Sequence, residues 1–112
     1  MLNNFNPVPK PAKRKKKVPN TKITQKAREE VYRRSAHACE RCGKTRAYAF
    51  EVSHLVQASQ GGSGNDVTNL ALLCGPSVNT GTCHWWADST KEGREWRMKK
   101  KRELEIYYWQ QG

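Results

Sequence analysis

The sequence predicts a small α+β domain in which a two-stranded hairpin is flanked by helices. Three features predict it: two short runs rich in apolar, aromatic and β-branched residues on either side of a glycine-rich stretch, helical patterns before and after them, and two pairs of cysteines bracketing the hairpin. At 112 residues the chain has room for one core, and with 36% apolar residues and a mean hydropathy of -0.95 that core is short of material. A staple is expected.

Residues 1–22 contain Lys10, Lys13, Arg14, Lys15, Lys16, Lys17 and Lys22, no acidic residue, and Pro7, Pro9, Pro11 and Pro19. Burial cannot offset the ordering entropy of such a segment, so a disordered basic arm is expected, serving as a phosphate-tracking tail or as a solubilising extension. The folded domain is expected over residues 23–110.

"TKITQKAREEVYRRSAH" reads as a helix capped by Thr24, with Ile23, Ala27, Val31 and Tyr32 toward one face. It delivers the chain to "ACERCG", a metal-knuckle shape in which Gly43 permits the tight turn. "RAYAFEVSHLV" and "NLALLC" read as strands, and "QASQGGSGNDVT" as the loop between them. After Cys83 the chain reads as helix, interrupted near Gly93, with Trp85, Trp86, Trp96, Leu104, Tyr107 and Tyr108 filling most of the remaining core. Trp109, close to the end, is the aromatic least expected to pack.

The formal charge of +11 and a pI near 9.8 favour a polyanionic partner, nucleic acid before membrane surface or ribosome, because each neutralised phosphate releases condensed counterions. No run of about 18 apolar residues suggests a membrane span. The N-terminal stretch has no apolar core of signal-peptide length, so a cytoplasmic location and reduced thiols are expected.

Cys39-x2-Cys42 and Cys74-x8-Cys83, 31 residues apart, fit a tetrahedral four-cysteine zinc site built from two separated hooks. One zinc would then clamp both ends of the hairpin. His84 is the competing fourth ligand. If Cys83 opens a helix, however, consecutive side chains diverge by about 100°, and with Cys83 on zinc His84 must point elsewhere. His37, beside the knuckle, is expected to be a packing or surface residue.

The order His54, Asn69, His84 within this cysteine frame resembles the HNH endonucleases of the ββα-metal, or His-Me finger, group. The resemblance covers residues 39 to about 90 and rests on "CERCG", the "SHL" strand end, the His-x14-Asn spacing, "GGSGNDVTNLALLC" and "GTCHWW", in a style similar to bacteriophage proteins. It implies that His54 is the general base, that the Asn69 amide holds the loop orienting it, and that His84 binds a catalytic divalent metal, Mg2+, Mn2+ or Ni2+. The implied chemistry is coherent: phosphodiester hydrolysis needs a base, a cation to neutralise developing charge and stabilisation of the leaving oxygen, and an unperturbed imidazole is mostly neutral at pH 7.

One position departs from the pattern. The residue before the base is commonly a metal-binding Asp or His, but here it is Ser53, a weak ligand for a hard cation. Asp88, four residues after His84 on the same helix face, is the expected substitute. Glu51 is the less favoured one, because strand alternation turns it to the opposite face from His54. The arginines Arg33, Arg34, Arg41 and Arg46 around the knuckle read as backbone contacts or surface charge.

These expectations describe a zinc-stapled, metal-dependent endonuclease acting on DNA, with a phage packaging or recombination protein as a further candidate partner. The rivals are a catalytically degenerate zinc-dependent DNA-binding or adaptor module and an RNA-binding zinc protein.

Overall fold

The computed structural model describes residues 21–111, so most of the expected basic arm, residues 1–20, lies outside the described residues. Helix α1 (Gln25–Ser35), strand β1 (Ala49–His54), strand β2 (Leu70–Gly75), helix α2 (Cys83–Ser89) and helix α3 (Lys91–Gln111) follow in order. Among the described residues the architecture is α+β, with one antiparallel hairpin and three α-helices.

Thr24 caps α1 by accepting from the Ala27 N–H, and Ala27 and Val31 are its buried residues. The helix ends where Ala36 and His37 both turn left-handed, at φ 55° and 62°, with their N–H groups returned to the carbonyls of Arg33 and Tyr32. His37 is thereby exposed, its ring edge-on to Tyr32 and away from the thiols.

The hairpin register pairs Ala49 with Gly75 and His54 with Leu70. Alternation assigns each strand two faces. Val52, Leu70 and Leu72 pack with Ala27 and Val31 of α1, whereas Ala71, Leu73 and Cys74 pack with Cys83 and Ala87 of α2 and Leu104 of α3. All six residues of β2 are buried, so it is the spine of the domain.

Two expectations about the core change. Its fully buried large side chains are Leu55, Leu70, Leu72, Leu73 and Val31, while Trp86, Trp96 and Tyr108 pack around its rim and Tyr107 is exposed. Trp109, as expected, stays in solvent. The expected interruption near Gly93 falls instead at Thr90, an extended residue whose hydroxyl donates to the Trp86 carbonyl and accepts the Gly93 N–H. Gly93 serves a different purpose. A Cβ there would lie 2.0 Å from the Trp86 carbonyl oxygen, so its absence lets α3 cross α2 closely.

Arg34, expected near the surface, is buried. Its guanidinium forms a two-point pair with Glu40 at 2.9 and 3.0 Å and also donates to the carbonyls of Val67 and Leu70. Glu40 completes the junction by accepting the Leu72 N–H, so α1, the knuckle and β2 meet at one ion pair.

Candidate active site and metal centre

The four cysteines converge: one sulfur from each of Cys39, Cys42, Cys74 and Cys83 lies within 4.8 Å of the other three. Zn–S bonds of about 2.3 Å place tetrahedral sulfurs about 3.8 Å apart, so modest contraction around an ion suffices. All four thiols are free of disulfides.

The local turns explain the convergence. Gly43, at φ 78°, lets its N–H return to the Cys39 carbonyl, while the Cys42 N–H points to the Cys39 sulfur. The other hook repeats the device, with the Cys83 N–H donating to the Cys74 sulfur at 3.3 Å. Burial opposes ionisation of Cys39, but the N–H groups of Cys42, Arg41 and Cys74 outweigh it and bring this thiol down to about 7. Burial, with help from the sulfurs of Cys74 and Cys39, pushes Cys83 up to about 12 against the pull of Arg41. A set in which one thiol ionises readily and another resists suits a cation that supplies the missing positive charge. Arg41 also stacks 3.6 Å from the Trp86 ring centroid, covering this side of the cluster.

Cys83 and His84 diverge at the start of α2, where Thr82 caps the helix through the Trp85 N–H. Cys83 enters the sulfur cluster, and His84 turns to a separate open cleft of ≈ 340 Å³ lined by Ser53, His54, Gln57, Ser59, His84 and Asp88, among others. His54 and the His84–Asp88 pair therefore face one space.

Each cleft histidine is held by a defined partner. His54 Nε2 lies 2.7 Å from the Thr21 carbonyl oxygen, which can only accept, so Nε2 carries a proton, and in the neutral ring the lone pair is on Nδ1. Thr21 is itself positioned: the Thr24 N–H donates to the Gly64 carbonyl, and a Cβ on Gly64 would lie 2.3 Å from the Lys22 carbonyl oxygen and 2.5 Å from that of Thr21. Residues 21 and 22, counted with the arm in the sequence, thus form a strap over the loop.

Asn69 is buried beneath the same loop. Its Oδ1 accepts the Val56 N–H at 2.7 Å, its Nδ2 donates to the carbonyls of Val56 and Ser63, and its own carbonyl accepts the Leu55 N–H. Gly62 permits this, because a Cβ there would sit 1.7 Å from the Val56 carbonyl oxygen.

His84 lies between two carboxylates, Nδ1 at 2.7 Å from Glu51 Oε1 and Nε2 at 3.2 Å from Asp88 Oδ2. Burial opposes its protonation, but Asp88 and Glu51 together raise its affinity for a proton. Glu51 and Ser53 share the sheet face on which α2 packs, so the alternation that separates Glu51 from His54 is the same one that delivers it to His84. That contact was not expected. Ser53 is buried and its hydroxyl donates to the His54 carbonyl.

The donors present suit a small divalent cation at His84 and Asp88. Two ligands about 2.1 Å from one octahedral ion lie about 3 Å apart, close to the 3.2 Å between Nε2 and Oδ2, and Mg2+-type sites commonly use one or two protein ligands and complete themselves with water and phosphate. Among the described residues, the cysteine cluster is the one group of three or more such donors that converges on a point.

Sequence reasoning also missed Arg97. Buried within α3, it donates from Nε to the Ala87 carbonyl at 2.8 Å and from Nη1 to the Leu55 carbonyl at 2.9 Å, tying the residue after His54 to the residue before Asp88. No local signal separates it from the other basic residues of "REWRMKKKR".

Comparison with known proteins gives one family. The family described as HNH endonuclease matches residues 39–76, about a third of the chain, which include Cys39, Cys42, His54, Asn69 and Cys74 and stop short of Cys83, His84 and Asp88. No curated protein and no solved structure matches.

Proposed function

Because residues 39–76 carry an HNH endonuclease segment, we propose that this chain is a metal-dependent endonuclease hydrolysing DNA phosphodiester bonds, of the kind encoded by phages or mobile elements. The observation that carries this reading is the convergence of His54 with the His84–Asp88 pair on one open cleft. His54 is the base: with Nε2 donating to Thr21, Nδ1 accepts a proton from the attacking water. Asn69 holds the segment after His54 in place through its bonds to Val56 and Ser63. His84 and Asp88 would hold the divalent cation, which when bound supplies positive charge against the phosphate and the leaving oxygen. Zinc on the four cysteines would be structural, clamping the hairpin to the start of α2.

DNA approaches an open cleft on a strongly basic chain. Along α3, Lys91, Arg94, Lys99 and Arg102, with Glu95 and Met98 among them, line a single exposed stripe of net positive charge suited to backbone phosphates. Weak sequence preference and steep salt dependence follow. A degenerate DNA-binding module is the second reading, favoured by Ser53, whose hydroxyl bonds to the His54 carbonyl where the family commonly places a ligand.

Nicking of supercoiled plasmid separates the two. Zinc-loaded protein with added Mg2+, Mn2+ or Ni2+ is expected to convert the plasmid to open circles, and His54→Ala to lose about 10²–10⁴-fold in rate while keeping its zinc and its fold. Cleavage that survives His54→Ala removes the base assignment, and binding without cleavage under every metal establishes the degenerate module.

A further inference from the structure

We propose that Glu51 is a positioning residue for His84, fixing its imidazole in the Nδ1-protonated tautomer so that Nε2 is presented beside Asp88 as a metal ligand. The inference rests on the reading of His84 and Asp88 as the cation site.

The geometry around Glu51 is constrained on three sides. Its Oε1 accepts from His84 Nδ1 at 2.7 Å and from the Ser77 N–H at 3.1 Å, so the carboxylate is anchored independently of the histidine. Gly75 makes room for it, since a Cβ there would lie 2.7 Å from the same Oε1. The carboxylate consequently lies across the sheet face toward α2, with about a third of the side chain still exposed (36%).

An ionised carboxylate only accepts hydrogen bonds, so the proton shared with Glu51 belongs to Nδ1. In the neutral ring Nε2 then carries the lone pair and faces Asp88 Oδ2 at 3.2 Å, two acceptors that need either a second proton or a cation between them. A divalent cation satisfies both. A carboxylate behind a metal-ligating imidazole fixes the ring and raises its basicity, and removing such a partner typically costs about 10–100-fold in metal affinity. The carboxylate missing at Ser53 is thus supplied two residues earlier on the same strand face, acting through His84 rather than on the metal directly.

The test uses the full zinc-loaded chain. Mn2+ is titrated while the free ion is followed by electron paramagnetic resonance, for the unmodified protein, Glu51→Ala and Glu51→Gln. Glu51→Ala is expected to weaken Mn2+ binding about 10–100-fold, and Glu51→Gln, whose amide oxygen still accepts from Nδ1, to recover most of it. In parallel, ¹⁵N NMR of the unmodified protein saturated with Mg2+ is expected to show His84 protonated on Nδ1 alone, its signals assigned by their loss in His84→Gln.

Equal Mn2+ affinity with and without Glu51 overturns the role of Glu51 and leaves the cation site standing. No Mn2+ binding by the unmodified protein overturns both, and the plasmid assay judges the nuclease reading separately. A His84 protonated on Nε2 overturns the proposal whatever the variants do.

Discussion

The Nε2 atom of His54 sits 2.7 Å from the main-chain oxygen of Thr21, across 33 residues of sequence. The segment that leads into α1 therefore sets the tautomer of a histidine at the end of β1. Gly64 is the residue that allows the approach, because any side chain at that position meets Thr21 and Lys22. Gly64→Ala is expected to lift the strap, free His54 Nε2 and slow plasmid nicking by up to about 100-fold, the scale of a misplaced catalytic group. Zinc content should be unchanged. Nicking at the original rate in a folded Gly64→Ala protein would separate the strap from the base.

Arg97 links the two sides of the cleft through the carbonyls of Leu55 and Ala87. Arg97→Met keeps much of the buried stem but leaves two carbonyls without donors, at a cost of about 1–3 kcal/mol for each unsatisfied group. A drop of about 2–5 kcal/mol in urea unfolding free energy is expected, with nicking impaired even at temperatures where the variant is folded. Loss of less than 1 kcal/mol would mean that other donors take over.

The sulfur cluster joins the knuckle, the end of β2 and the start of α2 at a single point. Removing zinc with a strong chelator is expected to unfold the hairpin and α2 together, since structural zinc contributes roughly 10–16 kcal/mol in small fingers. Circular dichroism during chelation, with a released-metal count near one per chain, checks this. A chelated protein that keeps its thermal transition would show the aliphatic core to be sufficient alone.

Glu30 provides a pH prediction. Its bonds to Arg33 and to the Tyr108 hydroxyl hold its carboxyl at about 2, below the ordinary 4.5, against the cost of partial burial. A depressed folded-state value means that the contribution is complete above about pH 4.5 and is lost as pH falls toward about 2. Glu30→Gln should therefore flatten the acid limb of stability in that window, by about 1 kcal/mol for a largely solvent-facing pair. Comparison with the unmodified protein at each pH cancels the separate effect of acid on zinc binding. Superimposable acid limbs would show that the α1–α3 contact through Tyr108 carries no stabilisation.

Buried Arg34 and Glu40 give the clearest single-residue stability test. Truncating Glu40 to Ala leaves the buried guanidinium without its counter-charge and the Leu72 N–H without its acceptor, and removal of one partner of such a pair costs about 3–5 kcal/mol. Chemical denaturation measures it, and an effect below 1 kcal/mol would place the pair among weak surface bridges.

The parts legible in the sequence were those whose cause is local. Cys39-x2-Cys42 with Gly43 implies a turn, Thr24 implies a helix start, and alternation assigns β1 its two faces, so the hairpin, the helices and the thiol cluster could be read from spacing and residue type. Cys83 and His84 are adjacent, and helical geometry alone required their side chains to point apart. What the tertiary structure decided depends on which element packs on which face, which no short-range pattern encodes. The side of the sheet taken by α2 brings Glu51 to His84. The crossing of α3 selects Arg97 from a run of basic residues and buries it, and the path into α1 places the Thr21 carbonyl on His54. In each case a charged or polar group is fixed by a partner 33 to 42 residues away, an encounter set by burial of the aliphatic core around β2 rather than by the residues that meet.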